Sequence, residues 1–320
     1  MIYIPFPRTD LDNHPDLVRW RAKANKSNGD WKLLKEFLAD SARIIQGKHP
    51  LTKCWYSELP QGDDFARDVE HFRPKNQASP LSEKQIESIE NASGIKFEQD
   101  TSIGRYPWLE FDYRNYRIVS AITNRGGAKH IYFPIAKNSV RLATGQFPWV
   151  QVEYPYFLDP TNRHDASLLF VKPNGEIAPL TAKTDLLQAD FDNLPESWNN
   201  DGFNYLRAMV TIKLYRLDDS VFVKGRKEVF DKISRLLEHL VLCIDENVVD
   251  KLKKRIIEDI IEATLPSAPF SLAAKSALNA YITPNGTNSM VTSSLNNIIK
   301  QILNKIEQKV AVLLIDWSKS

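Results

Sequence analysis

Cysteine is scarce in this sequence, with two among 320 residues. Cys54 and Cys243 lie far apart, so they cannot by themselves make a disulfide framework or a tetrahedral cysteine zinc site. We therefore expect two reduced thiols.

Long apolar runs are also missing. No stretch approaches the roughly 18 apolar residues of a membrane-spanning helix. The first residues, Met1 to Pro5, lack the basic start and the apolar run of a signal peptide. The sequence thus predicts a cytoplasmic protein that has no membrane partner.

Neither sign of charge dominates, because 42 lysines and arginines balance 40 aspartates and glutamates. The formal net charge of +2 gives the chain no strongly basic footprint for nucleic acid, so any such binding must be local. With 42% hydrophobic residues, the chain can bury one large core or two modest ones. We expect a globular protein.

Apolar periodicity and turn residues divide the chain into four segments. Residues 1–50 form an N-terminal helical segment, and residues 51–150 form a central core with a polar insertion at 76–104. Residues 151–203 form a small β-containing segment, and residues 204–320 form a largely helical region. The predicted fold class is α+β.

Local patterns predict the elements within these segments. In the core, the proline, glycine and aspartate cluster at 60–64 suits a reversal between two strands. Residues 118–122 carry apolar side chains at helical spacing, and the glycine pair at 126–127 would end that helix. Elsewhere we predict a helix near 30–45, strands at 149–152, 168–171 and 177–180, and helices near 236–241, 249–261 and 291–317.

Residues 68–75, Asp-Val-Glu-His-Phe-Arg-Pro-Lys, combine a base, carboxylates and cations. Hydrolysis of a phosphodiester needs a deprotonated water and a divalent cation that neutralises the phosphate. His71 can supply the base, because its ordinary pKa of about 6.5 leaves the imidazole neutral at pH 7. Neighbouring side chains on a strand point to opposite faces, so Glu70 and His71 can share a site only where a strand ends, as Pro74 indicates.

The order of motifs resembles that of a known family. The motifs are Cys54-Trp55-Tyr56-Ser57, then Val69-Glu70-His71-Phe72-Arg73-Pro74-Lys75, then Tyr106-Pro107-Trp108-Leu109, and finally Asn115, Asn124, Lys129 and Phe133-Pro134. This pattern resembles an HNH endonuclease with a ββα-metal core. More narrowly, it is similar to the HNH nuclease subunits of Septu-like bacterial antiphage defence systems. The similarity spans about residues 54 to 134, with weaker similarity at 153–160 and 211–217.

The resemblance implies roles for four residues. His71 matches the general base, Glu70 the acidic metal ligand and Asn124 the asparagine ligand on the helix. Asn115 matches the asparagine of the catalytic set that braces the loop. Carboxylate and amide oxygens are hard ligands, which suit Mg²⁺ or Mn²⁺ with water and phosphate oxygens in the remaining positions.

Three basic residues surround the same motifs. We expect Arg73, Lys75 and Lys129 to contact phosphates without sequence preference. Structural interpretations remain open beside these functional ones. Arg73 and Lys75 could belong to an ordinary solvated face, Asn124 could cap a helix end before the glycine pair, and Asn115 could cap the following helix.

The chief departure from the family pattern concerns zinc. Family members often carry paired CxxC motifs, but the matching positions here are Cys54, Ser57, Ser120 and Thr123. Serine and threonine do not replace thiolates as zinc ligands. We therefore expect no structural zinc, and we expect packing and hydrogen bonds to hold the two turns instead.

The resemblance implies a metal-dependent endonuclease that cuts DNA, or alternatively RNA, beside an ATPase of the ABC or AAA type. The C-terminal helices are then a candidate docking region. One alternative is an assembly subunit that keeps the HNH outline but has lost activity along with its cysteines. Another is a standalone nuclease with its own target recognition.

Overall fold

The structure of the protein is a computed structural model. It describes residues 1, 3–4, 15–22, 52–61, 67–125, 128–146, 153–245, 250–282 and 297–309. The predicted helix near 30–45, the predicted strand at 149–152 and the glycine pair at 126–127 lie outside these ranges.

Small antiparallel sheets and helices make up the described chain. Three pairs of strands form, namely β1 (Thr52–Lys53) with β2 (Pro60–Gln61), β3 (Arg67–His71) with β4 (Tyr116–Ser120), and β5 (Leu169–Val171) with β6 (Ile177–Pro179). The helices are α1 (Pro15–Ala22), α2 (Glu83–Ser93), α3 (Ala121–Asn124), α4 (Arg163–Ser167), α5 (Gln188–Asp192), α6 (Asp201–Leu214), α7 (Ser220–Asp245), α8 (Asp250–Thr264) and α9 (Ser271–Ile282). Residues 297–309 are also helical. This mixture confirms the α+β class.

Helix ends follow local sequence signals. α2 begins after Ser82, whose backbone N–H donates to the Gln85 side chain at 3.0 Å. It ends at Gly94, which has a φ of 65°, a conformation that glycine adopts without steric cost. α8 ends before Pro266 and α9 begins after Pro269, as expected from residues that cannot continue a helix. None of the helices in the described ranges has the length and apolar character needed to cross a bilayer.

The pairing of β3 with β4 places residues of two distant motifs side by side. Glu70 lies opposite Arg117, and His71 lies opposite Tyr116. Every residue of β4 is buried. Ser120 ends this strand and caps α3, because its hydroxyl accepts a backbone N–H of the helix. Strands β3 and β4 and helix α3 together form a ββα unit.

Two predictions for the core were wrong. The strands on either side of residues 60–64 do not pair with each other as a hairpin, because Pro60–Gln61 is itself β2, which pairs with β1, and the partner of β3 is the distant β4. Residues 118–120 belong to a strand, so the helix in this region is confined to Ala121–Asn124. A strand covered on both faces carries consecutive apolar residues, which in a short window resemble a helical pattern.

Predictions outside the core agree better with the structure. β5 and β6 lie in the predicted runs at 168–171 and 177–180, joined by a turn in which Gly175 has a φ of 86°. α7 and α8 contain the predicted helical stripes at 236–241 and 249–261 within their described residues. Regular apolar spacing over several turns therefore predicted helices better than a short run did.

The described residues form two hydrophobic cores. The first packs the ββα unit against α6, with Val119, Phe133 and Leu206 among its members. The second packs α7, α8 and α9 with residues 297–309. α6, which the sequence groups with the C-terminal helices, thus packs with the strands that carry the predicted site.

A buried ionic network connects these two parts. The Lys53 ammonium lies 3.1 Å from the Glu58 carboxylate and donates to the hydroxyl of Ser271 at 3.0 Å. Ser271, the first residue of α9, donates in turn to Glu58 at 2.8 Å. Burial alone would raise the pKa of Glu58, but the charge of Lys53 and the other cations hold that pKa well below its ordinary range. The network fixes the turn at 54–59 to the start of α9.

Candidate active site

His71 is the last residue of β3, and its ring is held by the loop that precedes β4. Its Nε2 atom lies 2.9 Å from the carbonyl oxygen of Glu110. A carbonyl only accepts, so Nε2 carries the hydrogen and Nδ1 has the lone pair that can take a proton. The ring also meets Tyr116 edge-on, with centroids 5.0 Å apart. Burial lowers the pKa of His71 to about 4, so the imidazole is neutral at pH 7.

Asn115 braces the two ends of that loop. Its Oδ1 accepts the backbone N–H of Arg73 at 2.9 Å, and its Nδ2 donates to the carbonyl of Arg73 at 2.9 Å. Its own carbonyl accepts the Phe72 N–H at 2.8 Å. The following element is β4, so the interpretation of Asn115 as a helix cap was wrong. Its contacts instead fix the direction in which the chain leaves His71.

Glu70 shares its carboxylate with a buried lysine. The ammonium of Lys129 contacts the Glu70 carboxylate and donates to the carbonyl of His71 at 2.6 Å. Burial raises the pKa of Glu70 and lowers the pKa of Lys129, while the attraction between the two acts in the opposite direction on each. Since the Lys129 side chain has no exposed surface, the structure gives it no direct route to a phosphate.

Asn124 lies at the end of α3 and points toward β3. Its Nδ2 donates to the Asp68 carboxylate at 3.1 Å. Its Oδ1 is buried and finds no hydrogen-bond partner in the described part of the chain. The side chain therefore contacts the strand, not the helix end, so a capping role does not explain it. Asp68 also forms an ion pair with Arg125, whose side chain is 63% exposed.

The predicted phosphate contacts differ in their exposure. Arg73 is buried, its Nε lies 2.6 Å from the Glu153 carboxylate, and its guanidinium packs over the ring of Phe133. This placement argues against a phosphate contact for Arg73, because a buried ion pair would have to break first. Lys75 pairs with Glu110 at 2.6 Å and keeps about a third of its side chain at the surface.

Sequence reasoning missed Asp68 and Arg125. Asp68 lies two residues before Glu70 on β3, so both side chains occupy one face of the strand. That alternation was available from the sequence and could have identified Asp68. Arg125 follows Asn124 directly in the sequence. It reaches Asp68 because β3 pairs with β4, and no local sequence pattern predicts that pairing.

Three of the four positions that match the family cysteines are in side-chain contact, and the fourth, Ser57, joins them through its backbone N–H. The Cys54 sulfur lies 3.7 Å from the Thr123 hydroxyl, which is 3.1 Å from the Ser120 hydroxyl. The backbone N–H of Ser57 donates to the Cys54 sulfur at 3.4 Å. The backbone N–H of Thr123 donates in the same way to the Ser120 hydroxyl at 3.3 Å. We call this set the hydrogen-bonded latch. One thiol and three hydroxyls do not fit a tetrahedral zinc ion.

Glu70 and Asn124 are the residues that would hold a hard divalent cation. The described residues contain no group of three or more histidine, cysteine, aspartate or glutamate side chains placed to hold a metal ion. Glu70 and Asn124 nevertheless offer the oxygen atoms that Mg²⁺ prefers, and this ion commonly keeps several waters beside one or two protein ligands. The buried Asn124 Oδ1 has an acceptor capacity that a cation would satisfy.

His71 should make the stability of the protein dependent on pH. Between about pH 4 and 6.5 the unfolded chain binds a proton at this residue that the folded chain does not, so stability falls as the pH falls. From pH 7 to pH 5, wild type should lose about 2 kcal/mol more than His71→Gln in urea unfolding. His164→Gln, at an exposed position on α4, is the matched control. Parallel pH profiles for wild type and His71→Gln would show that the imidazole is not buried.

Comparison of the chain with protein-family models, with curated proteins and with solved structures gave no match.

Proposed function

We propose that this protein is a metal-dependent HNH endonuclease that hydrolyses phosphodiester bonds of nucleic acid, with DNA favoured over RNA. The observation that carries the proposal is the arrangement of the ββα unit. It brings Glu70 and His71, which are adjacent on β3, together with Asn115 and Asn124, which lie far along the sequence from them. The roles that we assign to these residues come from the resemblance to HNH endonucleases.

The proposed proton transfer rests on the orientation of His71. Its Nε2–H is committed to the Glu110 carbonyl, so Nδ1 accepts the proton of the attacking water. Asn115 binds the backbone N–H and carbonyl of Arg73, just after the end of β3, and these contacts hold the imidazole in place during the reaction. The base is neutral over the physiological range, because its pKa lies at about 4.

Glu70 and Asn124 are the proposed ligands of one Mg²⁺ or Mn²⁺. When bound, such an ion neutralises charge on the phosphate and on the leaving oxygen. Glu70 would then divide its two carboxylate oxygens between the ion and Lys129, whose ammonium contacts one of them. Lys129 thereby acts as a buried support of the site in our proposal, and not as a contact to phosphate.

Partly exposed cations are better candidates for holding the nucleic-acid backbone. Lys75 and Arg125 both reach the surface beside the proposed site. Backbone contacts of this kind add affinity without sequence preference and are weakened by salt. They also allow a nearly neutral protein to bind nucleic acid locally.

By the same resemblance we propose an ABC- or AAA-type ATPase as the partner. The C-terminal helices are the proposed docking region, and exposed apolar residues such as Leu242 on α7 and Leu252 on α8 support it. Purification of the protein with and without such an ATPase tests this association. Loss of the complex in a Leu242→Ser, Leu252→Ser variant would support the assignment of these helices.

The test of the function is a cleavage assay on supercoiled plasmid DNA and on transfer RNA. Wild type should cut in the presence of Mg²⁺ or Mn²⁺ and should stop on addition of EDTA. Asn124→Ala removes one proposed ligand and should lower the cleavage rate at limiting Mg²⁺ by at least about 10-fold. Asn91→Ala, an exposed substitution on α2, is the matched control. Equal rates for the two variants would reject Asn124 as a ligand.

A second candidate function is a catalytically degenerate assembly subunit. The ion pair between Lys129 and Glu70 favours it, because the ammonium already neutralises the carboxylate that a metal ion would bind. This candidate predicts no cleavage by wild type with Mg²⁺ or Mn²⁺, alone or with the ATPase, while complex formation persists. Cleavage that requires His71 would exclude it.

A further inference from the structure

The amide of Asn124 can adopt two orientations of equal volume, and Asp68 distinguishes between them. A carboxylate only accepts hydrogen bonds, so it binds the amide nitrogen and repels the amide oxygen. The observed contact, from Nδ2 to the Asp68 carboxylate at 3.1 Å, fixes the nitrogen toward β3. The Oδ1 atom then faces the other way, where it is buried without a partner in the described residues.

A buried acceptor without a partner costs roughly 1–3 kcal/mol. An amide that could rotate freely would therefore turn its oxygen toward a hydrogen-bond donor. Asp68 prevents this reorientation. The Glu70 carboxylate lies on the same strand face as Asp68 and feels its charge. The oxygen of Asn124 is therefore held as a buried acceptor that no donor of the described chain satisfies, and a cation would satisfy it.

Arg125 supports Asp68 from the surface. Its Nε and Nη2 atoms donate to the two Asp68 oxygens at 2.9 and 2.6 Å. This bidentate contact restricts rotation of the carboxylate while leaving its Oδ2 available to Asn124. Because the Arg125 side chain is largely exposed, we expect its contribution to be smaller than that of Asp68.

We infer that Asp68 is a positioning residue, which sets the Asn124 amide so that its oxygen is presented to the metal ion. The inference rests on the proposed function, because it requires Asn124 to be a metal ligand. It goes further in assigning a role to a residue that the sequence motif leaves aside. Outer groups of this kind typically change metal affinity by about 10- to 100-fold.

The test measures binding of Mn²⁺ directly, by the electron paramagnetic resonance signal of the free ion, and needs no nuclease activity. Asp68→Ala should weaken Mn²⁺ binding by about 10- to 100-fold. Asp68→Asn has the same shape but can both donate and accept, so both amide orientations become possible and the loss should be intermediate. Arg125→Ala tests the exposed ion pair and should weaken binding by less than about 3-fold, and Asn91→Ala, an exposed substitution on α2, is the matched control.

A double-mutant cycle separates positioning from other roles. If Asp68 acts through Asn124, Asp68→Ala should cost less than about 3-fold once Asn124→Ala is present. A loss that persists in the Asn124→Ala background would overturn the inference, because Asp68 would then bind metal itself or act on the fold. Unchanged affinity in both Asp68→Ala and Asp68→Asn would also overturn it.

Two further measurements keep the outcome interpretable. Circular dichroism and thermal unfolding without metal establish that each variant is folded, and Asp68→Asn carries the test if Asp68→Ala is not. Absence of Mn²⁺ binding by wild type would reject the proposed metal site and the role of Asp68 together. Binding by wild type that Asp68 does not influence would reject the positioning role alone.

Discussion

Replacement of His71 by alanine is expected to lower the rate of plasmid cleavage by roughly 100- to 10,000-fold at neutral pH, the range that positioned general bases contribute. The structure gives the reason in geometric terms. The Glu110 carbonyl fixes one ring nitrogen, and Tyr116 fixes the plane of the ring. A water molecule that fills the place of the imidazole is not held in that orientation, so the variant should lose the proton acceptor. It should retain metal binding, because the proposed ligands are unchanged.

The His71 experiment needs a control for folding and a control for histidine removal. His164→Ala removes an exposed histidine on α4 and should cleave at the wild-type rate. Mn²⁺ binding by His71→Ala should remain within about 3-fold of wild type, since Glu70 and Asn124 are intact. A variant that cleaves as fast as wild type would show that another residue is the base or that the activity belongs to a contaminant.

Conversion of the hydrogen-bonded latch into four cysteines is expected to create a zinc site. The triple variant Ser57→Cys, Ser120→Cys, Thr123→Cys supplies three new thiols, and the one at position 57 must leave the contact that the Ser57 hydroxyl makes with the Leu59 N–H. Zinc–sulfur bonds of about 2.3 Å in a tetrahedron require sulfur atoms about 3.8 Å apart. The distance of 3.7 Å between the Cys54 sulfur and the Thr123 hydroxyl already matches that spacing. At a free zinc concentration 1,000 times the Kd, the stabilisation is about 4 kcal/mol.

Visible absorption of bound Co²⁺ and thermal unfolding with and without EDTA would measure this site. The triple variant should bind one ion per chain and unfold at a higher temperature with zinc. Addition of Cys54→Ser removes one of the four thiolates and should weaken binding, while wild type should unfold at the same temperature in zinc and in EDTA. A triple variant that binds no metal would contradict the interpretation of the four positions as one tetrahedral cluster.

The sequence predicted the fold class and the order of the motifs, but it could not predict the central pairing. β3 pairs with a strand that begins at Tyr116, and no local pattern identifies a partner at that distance. The turn residues at 60–64 were a stronger local signal, yet Pro60–Gln61 forms an edge pair with β1. Turn composition shows where the chain can reverse and does not show which strands then meet.

The same limit applies to the site. The motif identified Glu70, His71, Asn115 and Asn124 as a set, and the structure brings them to one strand pair. It did not predict that Arg73 would be buried, because the Glu153 carboxylate that pairs with it comes from a distant segment. Burial depends on tertiary contacts, so a basic residue in a motif cannot be assigned to solvent or to phosphate from its neighbours alone.

The latch has one thiol where a zinc site would have four thiolates, so it connects the proposed site to the rest of the protein through hydrogen bonds. Ser271 at the start of α9 holds Glu58, Glu58 lies in the same turn as Cys54, and the Cys54 thiol contacts Thr123, the residue before Asn124. Individual hydrogen bonds contribute about 0.5–1.5 kcal/mol, far less than a structural zinc ion. If a partner docks on the C-terminal helices as we propose, its binding energy can shift this weakly bonded connection, whereas a zinc-bound connection would resist the same displacement.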